Sequence, residues 1–526
     1  ICRFKFIMVV TPLFGIDSII YCNALFVECC RRISWKNLRE YVDFEGKGFY
    51  NIIIRTQRRI TTNYVYKSSK GKLFMDKEQL IELMSEKILN EEASLFVAAG
   101  LSQSAGYCSW KELLTPCAQK LNVEINDDTD LYLLAQYFVN TYGESDLIKI
   151  IEQKTNKISY ESDLIASLLQ LDIKNIWTTN FDKSLEQILL RRGIITRTIS
   201  HEKDLASITN TQTNIFKLNG DISNLNEMIV TKSDYINYID NHEMFLTFLK
   251  RELATKTFLF IGYSFKDSLI LDCLDKITKC FMGSSPYHYT ILKNDSSPYF
   301  KYFVDDLEKR YRIKTLIVND FNEIPLILHE IAQKVKNKKI FISGSFDWLP
   351  INEDVYVDDL CKNLAETLIG NNYRICTGLG RKLGNYISGH AYQYCLTHHI
   401  YNMEKYLIMR PFHERMEKDK KTNHRISMIN ECNIAIFAYG KSPSPDDKVI
   451  NSQGVIEEYQ IAKNQNKFII PLGMTGFSSK IIFDDIKNNI VKYPYLERYI
   501  NVLENERNIQ KICKVVLSII ENINSV

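Results

Sequence analysis

From Met75 onward, apolar and polar positions alternate between short buried runs and amphipathic stretches. "MDKEQLIELMSEKILNEEASLFVAAGLS" opens the series with an acidic helix carrying an apolar stripe, then a strand (93–100) that stops at a glycine and turns into another helix. The plan returns in KNIWTTNFDKSLEQIL (174–189), a strand halted at Thr-Thr-Asn with Asp182 capping the helix behind it. IFKLNGDIS (215–223) is a strand end turned sharply by Asn-Gly-Asp, and KTFLFIGYSFKDSLILDCL (256–274) is a buried strand, a Gly-Tyr-Ser turn and a helix. Strands alternating with helices predict a mainly parallel sheet covered on both faces.

A second series follows. NKKIFISGSFDWLP (337–350) reads as a strand turning at Gly344 and Ser345, and YRICTGLGRKLGNYISGHAYQYC (373–395) as a strand whose Gly378, Gly380 and Gly384 open a helix. EKYLIMRPF (404–412) ends a strand in Arg410, ECNIAIFAYG (431–440) is an apolar strand, and GVIEEYQIAKNQNKFIIPLGMTG (454–476) is a helix bearing Glu457 and Glu458 before a last strand. Five βα units make a second Rossmann-like domain. The expected fold is therefore α/β with two Rossmann-like domains, 75–330 and 337–526. Before them, FKFIMVVTPLFGIDSIIYCNALFVECC (4–30) has the apolar content of a membrane span, but Lys5, Pro12, Gly15 and Asp17 interrupt it and no clear cleavage site follows. The stretch up to Lys72 has no sustained period. The working protein is expected to begin near Met75, with residues 1–74 an extension that is either dispensable or not part of the native protein.

Composition narrows the function classes. The 526 residues are 45% hydrophobic and 25% charged, as in ordinary soluble globular chains. A net charge of +3 from 66 basic and 63 acidic residues argues against a nucleic-acid surface, as does the lack of basic residues interleaved with the 30 Tyr and 27 Phe. The 13 cysteines show no CxxC spacing, which points to free thiols in a reducing cytoplasm and away from a structural zinc. Cys395, His398 and His399 share one amphipathic helix and read as packing or solvated groups, not metal ligands. Gly-Lys-Ser at 440–442 lacks the upstream glycine of a phosphate-binding loop, so ATP chemistry is not indicated.

In an open α/β sheet, ligands bind outside the carboxyl ends of the strands. Each strand end of the first series is by itself an ordinary βα turn, but the ordered set AAGLS, TTNFD, KLNGD, GYSFKD defines one crevice. That set resembles the sirtuin-type NAD-binding domain, in the zinc-less form of bacterial antiphage defence proteins, over residues 75–325. The resemblance implies that Ala99, Gly100 and Ser102 lie along the pyrophosphate and ribose and that Asn180 holds the nicotinamide ribose or the attacking water. It implies that Asp182 braces the Asn180 loop and that Gly262, Ser264 and Asp267 bound the adenosine side.

The family's catalytic histidine stands in a His-Gly-Asp turn. Here the turn is Asn219-Gly220-Asp221, with Gly220 and Asp221 counted among the cofactor-binding positions and Asn219 in the catalytic place. An imidazole accepts a proton near neutral pH and a carboxamide does not, which leaves two readings: a slow enzyme, or a catalytically impaired nucleotide-binding sensor. His201 and His242 read as solvated or poorly placed substitutes. A smaller departure is Ala98-Ala99-Gly100 for the family's Gly-Ala-Gly, which adds a methyl near the pyrophosphate.

The second series resembles the SLOG domain, a sensor of nucleotide-derived ligands, and a sirtuin-like domain followed by SLOG is the arrangement of the Thoeris antiphage defence effectors. The resemblance implies an NAD+ hydrolase without a metal that yields ADP-ribose and nicotinamide, causing NAD depletion and abortive infection. It implies activation by a cyclic ADP-ribose isomer made by a TIR-domain protein, a homotetramer, and neither nucleic acid nor membrane as partner. Gly344, Ser345, Gly378, Gly380, Arg410 and Glu458 are the expected signal-binding residues; Arg410 offers a planar fork to a phosphate and Glu458 can accept from ribose hydroxyls.

Overall fold

The computed structural model describes residues 74–526 apart from 127–128, 210–211, 414, 443–449 and 526. Except for Phe74, the expected extension therefore lies outside the described residues. Both expected parallel sheets are present. The first has seven strands, β1 (Ala93–Val97), β2 (Asn175–Thr178), β3 (Thr196–Ile199), β4 (Thr213–Lys217), β5 (Thr257–Ile261), β6 (His288–Lys293) and β7 (Ile313–Val318), in the order β3-β4-β2-β1-β5-β6-β7. The strands are short apolar runs because both faces are covered. Leu95, Val97, Ile176, Ile215, Leu259 and Ile261 pack on one face, while Phe96, Trp177, Phe216, Phe258 and Phe260 pack on the other. Trp177 stacks on Phe216 at 4.2 Å.

Strand order positions the site. From β1 the chain builds outward through β2 and then crosses to β5 on the opposite side, so β1 and β5 flank the point where the winding reverses. Helices Trp110–Leu121, Leu131–Tyr142 and Glu144–Thr155 form a separate small core with Phe181, Met228 and Val230. The first of these starts at a capping box: Ser109 Oγ accepts from Glu112 N at 3.1 Å, and Ser109 N donates to Glu112 Oε2 at 2.7 Å.

Helix Glu323–Asn337 buries Ile324, Ile327, Leu328 and Ile331 in the first core and passes through Lys338 directly into β8 (Lys339–Ser345). The second sheet adds β9 (Arg374–Thr377), β10 (Leu407–Met409), β11 (Ile434–Tyr439) and, after the separate antiparallel pair β12 (Lys441–Ser442) and β13 (Ile450–Asn451), β14 (Phe468–Pro471). Its order is β10-β9-β8-β11-β14, with the reversal at β8. Asn433, at the foot of β11, donates to Gln333 Oε1 at 2.6 Å and Asn337 Oδ1 at 2.8 Å, pinning the connecting helix to the second sheet.

Candidate active site

A cleft of about 2150 Å³ opens at the carboxyl edge of the first sheet. Its floor depends on two glycines. Gly100 N donates to Gly262 O at 3.3 Å, and a Cβ on Gly262, at φ +67°, would stand 3.1 Å from Gly100 Cα. The β1 and β5 turns therefore touch through bare backbone, which brings the helix after β1 up against the Gly-Tyr-Ser turn. Phe265 in that turn holds φ at 56° while fully packed, a conformation a bulky residue adopts only when its surroundings impose it.

The β2 and β4 ends supply the polar groups. Their register pairs Thr178 with Lys217, so Asn180 and Asn219 each lie two residues past adjacent strand ends, and both line the cleft. Ser102 Oγ donates to Asp182 Oδ2 at 2.5 Å, and Asn180 Nδ2 donates to Ser102 Oγ at 2.7 Å. Asp182 Oδ1 is held by Ser184 N at 2.8 Å, and Asn180 N is held by Thr178 Oγ1 at 2.9 Å. Because the serine proton is committed to the carboxylate, Ser102 can only accept from Asn180, which fixes the amide and leaves its oxygen as acceptor.

Beneath these loops Lys217 is fully buried. Its Nζ lies 2.7 Å from Glu186 Oε1 and 2.8 Å from Asp221 Oδ2, and it donates to the carbonyls of Asp182 and Phe181. Burial alone would lower the lysine pKa, but Glu186 and Asp221 outweigh it and raise it. Burial would likewise raise Asp221, yet Lys217 and Lys183, the latter 2.7 Å away, hold its carboxyl well below the usual range. One ammonium thus joins the Asn180 loop to the Asn219 turn.

Asn219 itself donates to Tyr132 Oη at 3.4 Å. Tyr132 packs against Tyr235 at 4.8 Å and Trp110 at 5.7 Å, and burial pushes its hydroxyl pKa up. Tyr235 Oη reaches Asp267 Oδ1 at 2.9 Å; burial raises the Asp267 carboxyl, which also caps the helix Ser268–Cys280 through Leu269 N.

Ala99, Gly100, Ser102, Asn180, Asp182, Asn219, Gly262, Ser264 and Asp267 all line this one cleft. Gly220 and Asp221 do not: Gly220, at φ +83°, lets the Glu227–Met228 backbone pass close, and Asp221 faces Lys217. His201 is paired with Glu227 and His242 stacks on Tyr238 at 4.6 Å, neither among the lining residues. Sequence reasoning missed Tyr132, Tyr235, Trp110 and Lys217; a lysine inside an apolar strand end was the one visible signal.

At the second sheet, Gly344 and Gly380 meet as Gly100 and Gly262 do, since a Cβ on Gly380 would stand 2.3 Å from Gly344 O. Gly378 lies under Phe412, Ser345 is buried at the end of β8, and Arg410 reaches out to Glu431 at 2.9 Å. Glu458 is buried, accepting from Ser343 Oγ at 2.5 Å and Arg425 Nε at 3.4 Å, and burial raises its carboxyl pKa. Arg425, which the sequence did not single out, also binds Glu457 at 2.9 Å and lies 4.9 Å over the Phe412 ring. Among the described residues no helix is long and apolar enough to cross a membrane, and no group of three or more His, Cys, Asp or Glu could hold a metal.

Comparison with known proteins agrees with the two sheets. The SIR2-like domain family matches residues 174–316, and the Sir2- and TIR-associating SLOG family matches 323–523. The chain is 31% identical over 478 residues to the NAD(+) hydrolase ThsA of Enterococcus faecium, covering 86% of this chain and 99% of that protein. It is 28% identical over 468 residues to the NAD(+) hydrolase ThsA of Bacillus cereus (strain MSX-D12), covering 84% and 98%. A shorter likeness, 27% over 230 residues, joins it to the Defense-associated sirtuin 2 of Bacillus subtilis, covering 42% of this chain and 22% of that protein.

Proposed function

The chain belongs to the ThsA family of NAD(+) hydrolases, and from that membership we propose that it cleaves the nicotinamide–ribose bond of NAD+ in the cleft of the first sheet, releasing nicotinamide and ADP-ribose. The observation that carries the reading is the oriented Asn180 amide, held through Ser102 by Asp182 and lying across the β2–β4 register from Asn219. Cleavage passes through an oxocarbenium-like ribose, and an amide oxygen of fixed direction is suited to a ribose hydroxyl or the attacking water. Ala99, Gly100 and Ser102 take the pyrophosphate and ribose; Gly262, Ser264 and Asp267 bound the adenosine.

In this reading the protein is a cytoplasmic effector of bacterial antiphage defence. A cyclic ADP-ribose isomer made by a TIR-domain protein binds the second sheet at Gly344, Ser345, Gly378, Gly380, Arg410 and Glu458 of a homotetramer, and NAD depletion then aborts the infection. Linkage requires that signal bind the active arrangement more tightly than the resting one. Asn219 favours a second reading, a sensor that binds the nucleotide without turning it over, because its amide cannot titrate at neutral pH.

Nicotinamide release from NAD+, with and without cyclic ADP-ribose isomers, separates the two when run beside Asn219→His. The hydrolase reading expects turnover by the parent protein once signal is added. Activity in the Asn219→His protein alone would make this chain the sensor, and activity in neither would overturn the hydrolase assignment.

A further inference from the structure

Hydrolysis of NAD+ leaves a proton to be placed. As the water oxygen bonds to the ribose carbon, the glycosidic bond breaks with its electron pair going to the pyridine nitrogen, and neutral nicotinamide departs. The water must then lose a proton, which the amide of Asn219 cannot take. Resting on the hydrolase reading above, we propose that the Ser102–Asp182 pair is the proton acceptor of this chain: the water proton passes to Ser102 Oγ while the serine proton passes to Asp182 Oδ2. Asp182 returns it to solvent after product leaves.

The arrangement on the cleft wall argues for this pair. Ser102 Oγ is already committed as donor to Asp182 at 2.5 Å, so its free electron pairs face acceptor duty. One accepts the Asn180 amide at 2.7 Å and the other is left for a water that Asn180 would share. The carboxylate is held for the task, with Oδ1 on Ser184 N at 2.8 Å and its backbone carbonyl on Lys217. Four other acids line the cleft: Asp130 pairs with Lys232 at 2.8 Å, Asp267 caps a helix and accepts from Tyr235, Asp163 opens the helix Asp163–Leu169, and Asp295 accepts from Ser297 N at 2.7 Å. None is joined by a hydroxyl to Asn180.

A double-mutant cycle of Ser102→Ala with Asn219→His, followed by nicotinamide release at saturating NAD+ in the presence of cyclic ADP-ribose isomers, tests the idea. In the parent, Ser102→Ala should lower kcat by about 10²–10⁴-fold, the usual effect of losing a general base. In the Asn219→His background the same change should cost less than about tenfold, because the imidazole then takes the proton. The acid limb of the pH–rate profile should also move up toward about 6.5 on Asn219→His. Asp182→Asn keeps the shape and a hydrogen bond to Ser102 but cannot accept a proton, so it should follow the same pattern, and matched thermal unfolding guards against simple misfolding. An equal loss in both backgrounds would reduce Ser102 to an anchor for Asn180 and overturn the proposal. So would a parent that is inactive while Asn219→His turns over. If neither protein cleaves NAD+, the hydrolase reading falls and this proposal with it.

Discussion

Replacing Lys217 with methionine would test whether one buried ammonium holds the two site loops together. The methionine fills nearly the same volume, so the change isolates the charge. Breaking a buried ion pair by removing one partner costs about 3–5 kcal/mol, because the remaining charge is left uncompensated. Here Lys183, 2.7 Å from Asp221, still covers that carboxylate but stands 4.0 Å from Glu186. The loss therefore falls mainly on Glu186, and the lower end of the range, about 3 kcal/mol, is expected. At roughly 2–4 °C per kcal/mol for a domain of this size, the melting temperature should fall by roughly 6–12 °C.

Its pH dependence follows from the two shifts. Lys217 has a raised folded pKa, so its contribution is complete below the unfolded value near 10.5 and is lost as pH rises through the folded one. Asp221 has a lowered folded pKa, so its contribution is present above the unfolded value near 3.9 and is lost as pH falls through the folded one. The stability difference between parent and variant should hold at neutral pH and shrink in acid, where the carboxylates facing Lys217 lose their charge. Calorimetric unfolding from neutral pH into acid, with Lys217→Met/Glu186→Gln beside the single variant, checks it. A difference that persists undiminished in acid, together with no recovery in the double variant, would refute the electrostatic account.

Two further outcomes follow from the same geometry. Gly262→Ala puts a Cβ 3.1 Å from Gly100 Cα at φ +67°; left-handed strain of about 1–2 kcal/mol plus the clash should weaken NAD+ binding by about tenfold or more in calorimetric titration. On the proposed signal reading, cyclic ADP-ribose isomers should raise the melting temperature, and Arg425→Ala, which removes the cation from Glu457 and Glu458 and the face contact with Phe412, should abolish that rise; an unchanged rise would take Arg425 out of the proposed site.

How far the sequence can be read here depends on the range of the interaction that decides each position. The strands were legible because burial on both faces writes them as unbroken apolar runs, and their convergence followed from the rule that such sheets bind ligands at one edge. The contact partners were not. Tyr132 meets Asn219 across 87 residues, from a helical insertion whose own pattern announces only an apolar face. Arg425 sits on the helix Lys418–Asn430, polar nearly all round, where nothing local separates an inward arginine from a solvated one. Motif content therefore pointed to Arg410, whose side chain lies on Glu431, half exposed, while the arginine packed against buried Glu458 went unnoticed. Asn219 is the converse case, since its chemical consequence was plain from one letter, yet the groups able to offset it are joined through space. Ser102 and Asp182 stand 80 residues apart and become one acceptor only because β1 and β2 are neighbours in the sheet. A substitution that looks disabling in a motif can be answered only by asking which proton acceptors the fold brings to the same water, and that question needs the strand order.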